Sequence, residues 1–234
     1  MTSRPPPIRL IKRIRAVAFD LDGTLLDTAP DLASATNHML GAMHLPSLSD
    51  EQVRSMIGDG VEALVERALA RALNQLPPEP VLRTAIDRFK EAYSNAIFVR
   101  SRIYPGVKET LRTLGDAGLR LACVTNKSAG FTAPLLSAAG LAGHFVHILC
   151  ATGPADRKPS PALLRTLCTQ LDVTPASLLM VGDSPKDIRA ARAAGCPVAA
   201  VTYGYTAEAL IRASAPDWVL QNLTEVPTLE TLAA

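Results

Sequence analysis

Apolar residues cluster along the chain in six short runs, at positions 16–19, 119–124, 146–149, 178–181, 198–201 and 218–220. Each is short for a helix and apolar at consecutive positions, the pattern of strands buried on both faces of a parallel sheet. Between most of them the apolar positions take helical spacing. Ser160-Pro161, Thr174-Pro175 and Ser184-Pro185 each set a capping hydroxyl before a proline suited to a first helical turn. Gly118, Gly140 and Gly195 follow helical stretches, where a left-handed residue commonly ends a helix.

Strands alternating with helices predict an α/β protein built on a doubly wound, Rossmann-like parallel sheet. The alternation breaks between 28 and 99, where only helical patterns occur: 28–43, 49–52 with a capping box at Ser49 and Gln52, 61–73 and 79–98. We read this stretch as a helical cap inserted into a core formed by 14–27 and 100–234, with crossings near 26–28 and 99–102. Residues 1–13 carry Pro5, Pro6 and Pro7 and the basic Arg9, Lys12 and Arg13, without the apolar segment of a secretory signal. They read as a poorly ordered leader.

Composition narrows the classes. With 48% hydrophobic residues, 234 positions suffice for one sizeable core plus an insertion. A net charge of +2 without a basic stripe gives no reason to expect nucleic acid, and no apolar run has the length of a membrane helix. The four cysteines form no CxxC pair, which argues against zinc and dithiol chemistry and for a reducing cytoplasm. Cys123 lies within an apolar run and reads as core.

Four polar clusters interrupt this pattern. The first, Asp20-Leu21-Asp22-Gly23-Thr24-Leu25-Leu26-Asp27, directly follows a strand. Positions i and i+2 of an extended chain share a face, so Asp20 and Asp22 face the same way. Two close carboxylates share a proton or require a cation, an arrangement suited to a nucleophile beside an acid/base. The second is Thr125-Asn126-Lys127, whose hydroxyl and amide suit a phosphate oxygen or an ordinary strand-to-helix turn. The third is Arg157-Lys158-Pro159-Ser160-Pro161, with Lys158 just before a helix start, a place where anions bind and where solvated lysines also stand. The fourth is Gly182-Asp183-Ser184-Pro185-Lys186-Asp187. Asp183 and Asp187 make an oxygen-rich corner of the kind magnesium takes, or equally a capped helix start. In an open α/β sheet such loops gather at the carboxyl edge.

Taken in order, Asp-x-Asp-Gly-Thr, Thr-Asn, Lys-Pro and Gly-Asp-Ser-x-x-Asp resemble the haloacid dehalogenase superfamily of phosphohydrolases, over nearly all of the chain after residue 14. The insertion is similar to that superfamily's helical cap. Stretches 27–32, 56–60, 104–107, 124–127 and 202–205 are most similar to its phosphoglycolate phosphatases.

The resemblance implies that Asp20 is the nucleophile, forming an aspartyl-phosphate, and that Asp22 is the general acid and then base. It implies Mg2+ held by the Asp20 carboxylate, the Asp22 backbone carbonyl and Asp183, with Asp187 steadying the metal's waters. Thr125, the Asn126 backbone and Lys158 would hold the phosphoryl oxygens, Lys158 counting with Asp20 and Asp22 as catalytic. The expected reaction is hydrolysis of a small phosphorylated metabolite, 2-phosphoglycolate first. Alternatives are a phosphorylated sugar or amino sugar, a phosphomutase sharing the intermediate, or an inactive binding protein. A dehalogenase fits less well, because Asp22 and the magnesium corner have no role in that reaction. The expected partner is a small phosphate ester, with neither nucleic acid nor membrane, and the chain a monomer or homodimer.

Three features have two readings each. Gly58-Asp59-Gly60 is either a plain helix connection or a specificity loop facing the site. His38, His44, His144 and His147 read as bystanders rather than metal ligands. Trp218 reads as strand packing rather than a substrate platform.

Overall fold

The structure, a computed structural model, describes residues 14–229; the leader expected over 1–13 lies outside them. The main sheet is formed by β1 (Ala16–Phe19), β4 (Arg120–Thr125), β5 (His147–Cys150), β6 (Leu178–Gly182), β7 (Val198–Val201) and β8 (Trp218–Leu220). All neighbours pair parallel in the order β5-β4-β1-β6-β7-β8. Two short strands absent from the sequence reading, β2 (Leu26–Asp27) and β3 (Arg102–Ile103), pair antiparallel at the two crossings. A two-residue ladder carries too little pattern to be legible in advance.

The side chains of β1 divide between two layers, as a period of two requires. Val17 and Phe19 join the core under α5 (Val107–Asp116) and α6 (Ala129–Ala138). Ala16 and Ala18 join the opposite core, with α7 (Ala162–Leu171), α8 (Pro185–Ala194) and α9 (Glu208–Ala213). Trp218 lies in β8 and packs against the first of these cores.

Helix starts followed the local chemistry unevenly. Ser184 caps α8 in a capping box with Asp187, and Ser49 does the same with Gln52 for α2 (Asp50–Arg54). Thr174-Pro175 opens only a single 3-10 turn, Pro175–Ser177. Pro161, not Ser160, holds the cap position of α7. Gly118, Gly140 and Gly195 all have positive φ, as expected.

The stretch after β2 is helical throughout its regular elements: α1 (Ala29–Ala42), α2, α3 (Val61–Leu73) and α4 (Glu79–Asn95). It buries its own apolar cluster, including Met39, Leu69, Phe89 and Tyr93, and takes Phe131 of α6 into it. Asp31, in the first turn of α1 and 2% exposed, ties the return crossing down. It accepts hydrogen bonds from the backbone N–H groups of Val99 (3.0 Å), Arg100 (2.8 Å) and Ser101 (2.8 Å) and from the Ser101 hydroxyl (2.5 Å). Removing a buried acceptor strands its donors at a cost of roughly 1–3 kcal/mol per group. Asp31→Ala is therefore expected to lower unfolding stability by about 3 kcal/mol, read from the urea midpoint at unchanged m-value.

Candidate active site

Sheet register brings the polar clusters together. Phe19 of β1 lies level with Cys123 of β4 on one side and Val181 of β6 on the other. One step on, Asp20 leaves β1 between the ends of β4 and β6, its N–H bonded to the Val181 carbonyl at 2.9 Å. Thr125 ends β4, and Asp183 follows Gly182 at the end of β6. This is the carboxyl edge at a switch in strand order, where ligands bind in open α/β sheets.

Lys158 is the hub. Its ammonium is 2% exposed and reaches Asp20 (2.9 Å), Asp187 (2.6 Å) and the Val124 carbonyl (2.9 Å). Burial opposes its charge, but Asp187 and Asp20 outweigh that and hold Lys158 above the ordinary lysine range. Asn126 fixes the Lys158 backbone: its Oδ1 accepts from Lys158 N at 2.8 Å, and its Nδ2 donates to the Lys158 carbonyl at 3.1 Å. The same Nδ2 donates to the Gly58 carbonyl at 3.0 Å, so the glycine loop does face the site.

Asp20, Asp183 and Asp187 offer carboxylate oxygens all within 4.8 Å of one another. Burial raises the Asp20 carboxyl to about 6 despite Lys158, and pushes Asp183 well up, with Asp187 and Asp20 adding to the effect. Buried carboxylates crowded this way gain most from a divalent cation. Two glycines make room for Asp183. A Cβ on Gly23, at φ +86°, or on Gly204 would collide with the Asp183 side chain. The acidic cluster thus fits a metal with oxygen ligands, and none of the four histidines belongs to it.

Asp22 is turned elsewhere. Its carboxylate accepts from the Thr28 hydroxyl at 2.5 Å and from the Lys127 ammonium at 3.2 Å to each oxygen. Thr28 holds the N-cap position of α1, yet its hydroxyl serves Asp22 rather than the helix. The Tyr205 hydroxyl takes over the cap, accepting from Thr28 N (2.7 Å) and Ala29 N (3.0 Å), while Tyr205 N donates to Asp183 Oδ2 at 2.7 Å. Thr28, Tyr205 and the role of Lys127 escaped sequence reading. The one available signal was their place in stretches similar to phosphoglycolate phosphatases.

Asp20, Asp22, Lys127, Lys158, Asp183 and Tyr205 line a cleft of about 150 Å³ that opens to solvent. The helical insertion forms its other wall with Leu32, Ile57, Gly58, Gly60, Val61 and Leu64. Lys186 of α8 meets Asp59 at 2.5 Å, and Arg67 meets the same carboxylate at 2.6 Å. Arg54 of α2 bonds Asp27 at 3.0 Å and lies 4.9 Å over the Tyr205 ring. Insertion and sheet edge thus close on one another around the cleft.

Residues 17–201 match the family model described as haloacid dehalogenase-like hydrolase. The chain belongs to this family. A protein named phosphoglycolate phosphatase from Nitrosospira multiformis is 46% identical over 192 residues, covering 82% of this chain and 85% of its own length. One of the same name from Nitrosococcus oceani is 37% identical, covering 96% and 100%. The crystal structure of a predicted phosphoglycolate phosphatase from Haemophilus somnus superposes with a TM-score of 0.88 at 36% identity, covering 93% of this chain and 98% of that one. The parallel sheet and flanking helices are thus those of the haloacid dehalogenase-like hydrolases, as the ordered motifs implied. Among the described residues no helix is long and apolar enough to cross a membrane.

Proposed function

We propose that this hydrolase is a magnesium-dependent phosphatase acting on 2-phosphoglycolate through an aspartyl-phosphate on Asp20. One observation carries the reading above the others: a carboxylate at the sheet edge, 2.9 Å from a buried lysine and beside two further carboxylates. A phosphate monoester can approach such a carboxylate only where cations offset the repulsion. Asp20, the Asp22 backbone carbonyl and Asp183 would hold Mg2+, which when bound supplies charge neutralisation and orientation of the phosphoryl group.

The chain's own residues then do the following. Asp20 attacks phosphorus in line; its oxygen gains the P–O bond as the ester P–O bond breaks. Asp22 delivers a proton to the departing alkoxide, then takes one from the water that attacks phosphorus and frees Asp20. Lys158 and Thr125 hold the phosphoryl oxygens, with the Asn126 backbone beside them. The insertion acts as a lid that keeps water out, and Gly58-Asp59-Gly60 is the part of it that reads the substrate. Names of relatives support 2-phosphoglycolate; the four free thiols support a reducing, cytoplasmic setting. A monomer or homodimer fits the same reading.

The deciding experiment is a steady-state screen of metabolite phosphates with and without Mg2+. Activity confined to magnesium and highest in kcat/KM on 2-phosphoglycolate is expected. A sugar phosphate at the top, or full activity in EDTA, would overturn the substrate or the metal. Melting gives a second check. Mg2+ at about 100 times its Kd is expected to stabilise the protein by roughly 2.7 kcal/mol, a rise in Tm of roughly 5–10 °C at this size. The rise should shrink at pH 5. Asp20 titrates near 6 without metal, so below that pH protons compete for the same oxygens.

A further inference from the structure

We propose that Lys127 is a subsite for an anionic group on the leaving alcohol, so that the enzyme selects phosphate monoesters carrying a carboxylate next to the ester carbon. This rests on the phosphatase reading above and assigns the recognition of the leaving group to one side chain.

Three ammonium groups line the cleft, those of Lys127, Lys158 and Lys186. Lys158 stands against Asp20, at the end of the cleft that holds the phosphoryl group, and so is committed away from the leaving alcohol. Lys186 is held at 2.5 Å by Asp59. Lys127 differs. It is 6% exposed, and its contacts are the two Asp22 oxygens, both at 3.2 Å, and Tyr93, whose ring lies 4.8 Å from the ammonium and whose hydroxyl also favours its charge. Those contacts are longer than the roughly 2.7–2.9 Å of a tight charged pair, so the ammonium retains capacity for a further acceptor.

Its place decides what that acceptor is. Lys158 stands with Asp20, where phosphorus is attacked. Lys127 stands with Asp22, where the ester oxygen leaves. A carboxylate on the carbon next to the ester oxygen lies roughly 2.5–3.5 Å beyond that oxygen, a span that matches the 3.2 Å from Asp22 to Lys127. The wall behind Lys127 is the face of Tyr93, from α4 of the insertion. Closing the insertion therefore seals the ammonium against an aromatic ring rather than water, and an ion pair formed there is weakly screened. A neutral alcohol offers Lys127 nothing beyond Asp22.

The test compares 2-phosphoglycolate with ethyl phosphate and with the neutral amide of 2-phosphoglycolate. Wild-type enzyme is expected to favour the acid over both by at least tenfold in kcat/KM. Lys127→Met and Lys127→Gln should lower kcat/KM for the acid at least tenfold more than for ethyl phosphate, chiefly through KM, and Lys127→Arg should restore part of the preference. Equal losses on both esters would overturn the proposal, leaving Lys127 as a positioning residue for Asp22. Absence of a preference in the wild type would overturn it too, together with the 2-phosphoglycolate assignment, while cleavage of ethyl phosphate would still uphold phosphatase chemistry. The amide comparison needs no variant, so poor folding of either substitution leaves the proposal open to refutation.

Discussion

Asp20→Asn is expected to lower kcat by about ten-thousandfold or more, equivalent to at least about 5.5 kcal/mol of lost transition-state stabilisation. The amide has nearly the shape of the carboxylate but cannot form the acyl phosphate. Folding should survive. Lys158 keeps Asp187 at 2.6 Å and the Val124 carbonyl at 2.9 Å, and Asn126 still clamps its backbone. Two measurements check this: single-turnover kinetics with labelled substrate, in which no phosphoprotein should accumulate, and a thermal melt within a few degrees of wild type. Near-normal hydrolysis by the variant would remove Asp20 as the nucleophile.

Lys158→Met should be the more damaging change, because it strikes stability and chemistry together. The substitution leaves Asp187, whose side chain is 1% exposed, and Asp20 without their common cation. Breaking a buried pair from one side costs roughly 3–5 kcal/mol, a fall in Tm of roughly 10 °C for a chain of this length. Activity on phosphate esters should fall with it, since no ammonium then faces the phosphoryl oxygens. Adding Asp187→Asn removes one stranded charge. The double variant is expected to regain part of the denaturation midpoint and none of the activity. Recovery of both would mean that Lys158 serves the fold alone.

The two variants separate what Lys158 does for the sheet edge from what Asp20 does for the substrate. They also show why the site is hard to build piecemeal. Asp20 and Asp183 are both pushed toward the protonated state by burial, and Lys158, the backbone N–H groups of Leu21 and Tyr205 and a bound cation favour their ionised forms. The polar groups at this edge are mutually dependent, and each loss is felt by its neighbours.

Much of this is legible in the chain itself. Strands buried on both faces announce themselves as apolar runs, and 178–181 and 198–201 fall within β6 and β7 as observed. Run 146–149 is displaced by one residue, β5 being His147–Cys150. It is an edge strand with Val146 and Ile148 exposed, so burial does not sharpen its limits. Thr174-Pro175 promised a helix and delivered one 3-10 turn, because a cap and a proline supply a beginning but no apolar stripe to continue it.

An inventory can be read off the chain alone: a parallel α/β core, an all-helical stretch between residues 28 and 99, and four polar clusters whose order marks the family. Local chemistry suffices for these, because periodicity, caps and turns are properties of neighbours in the chain. The pairings needed the assembled fold. Asp22 faces Lys127 and Thr28 rather than the acidic cluster, Tyr205 caps a helix that starts at residue 29, and Tyr93 of the insertion covers a lysine of the core. Those contacts span between 6 and 177 residues of sequence. They follow from strand order and register, which depend on burying two apolar layers at once and leave no trace in any single stretch of the chain.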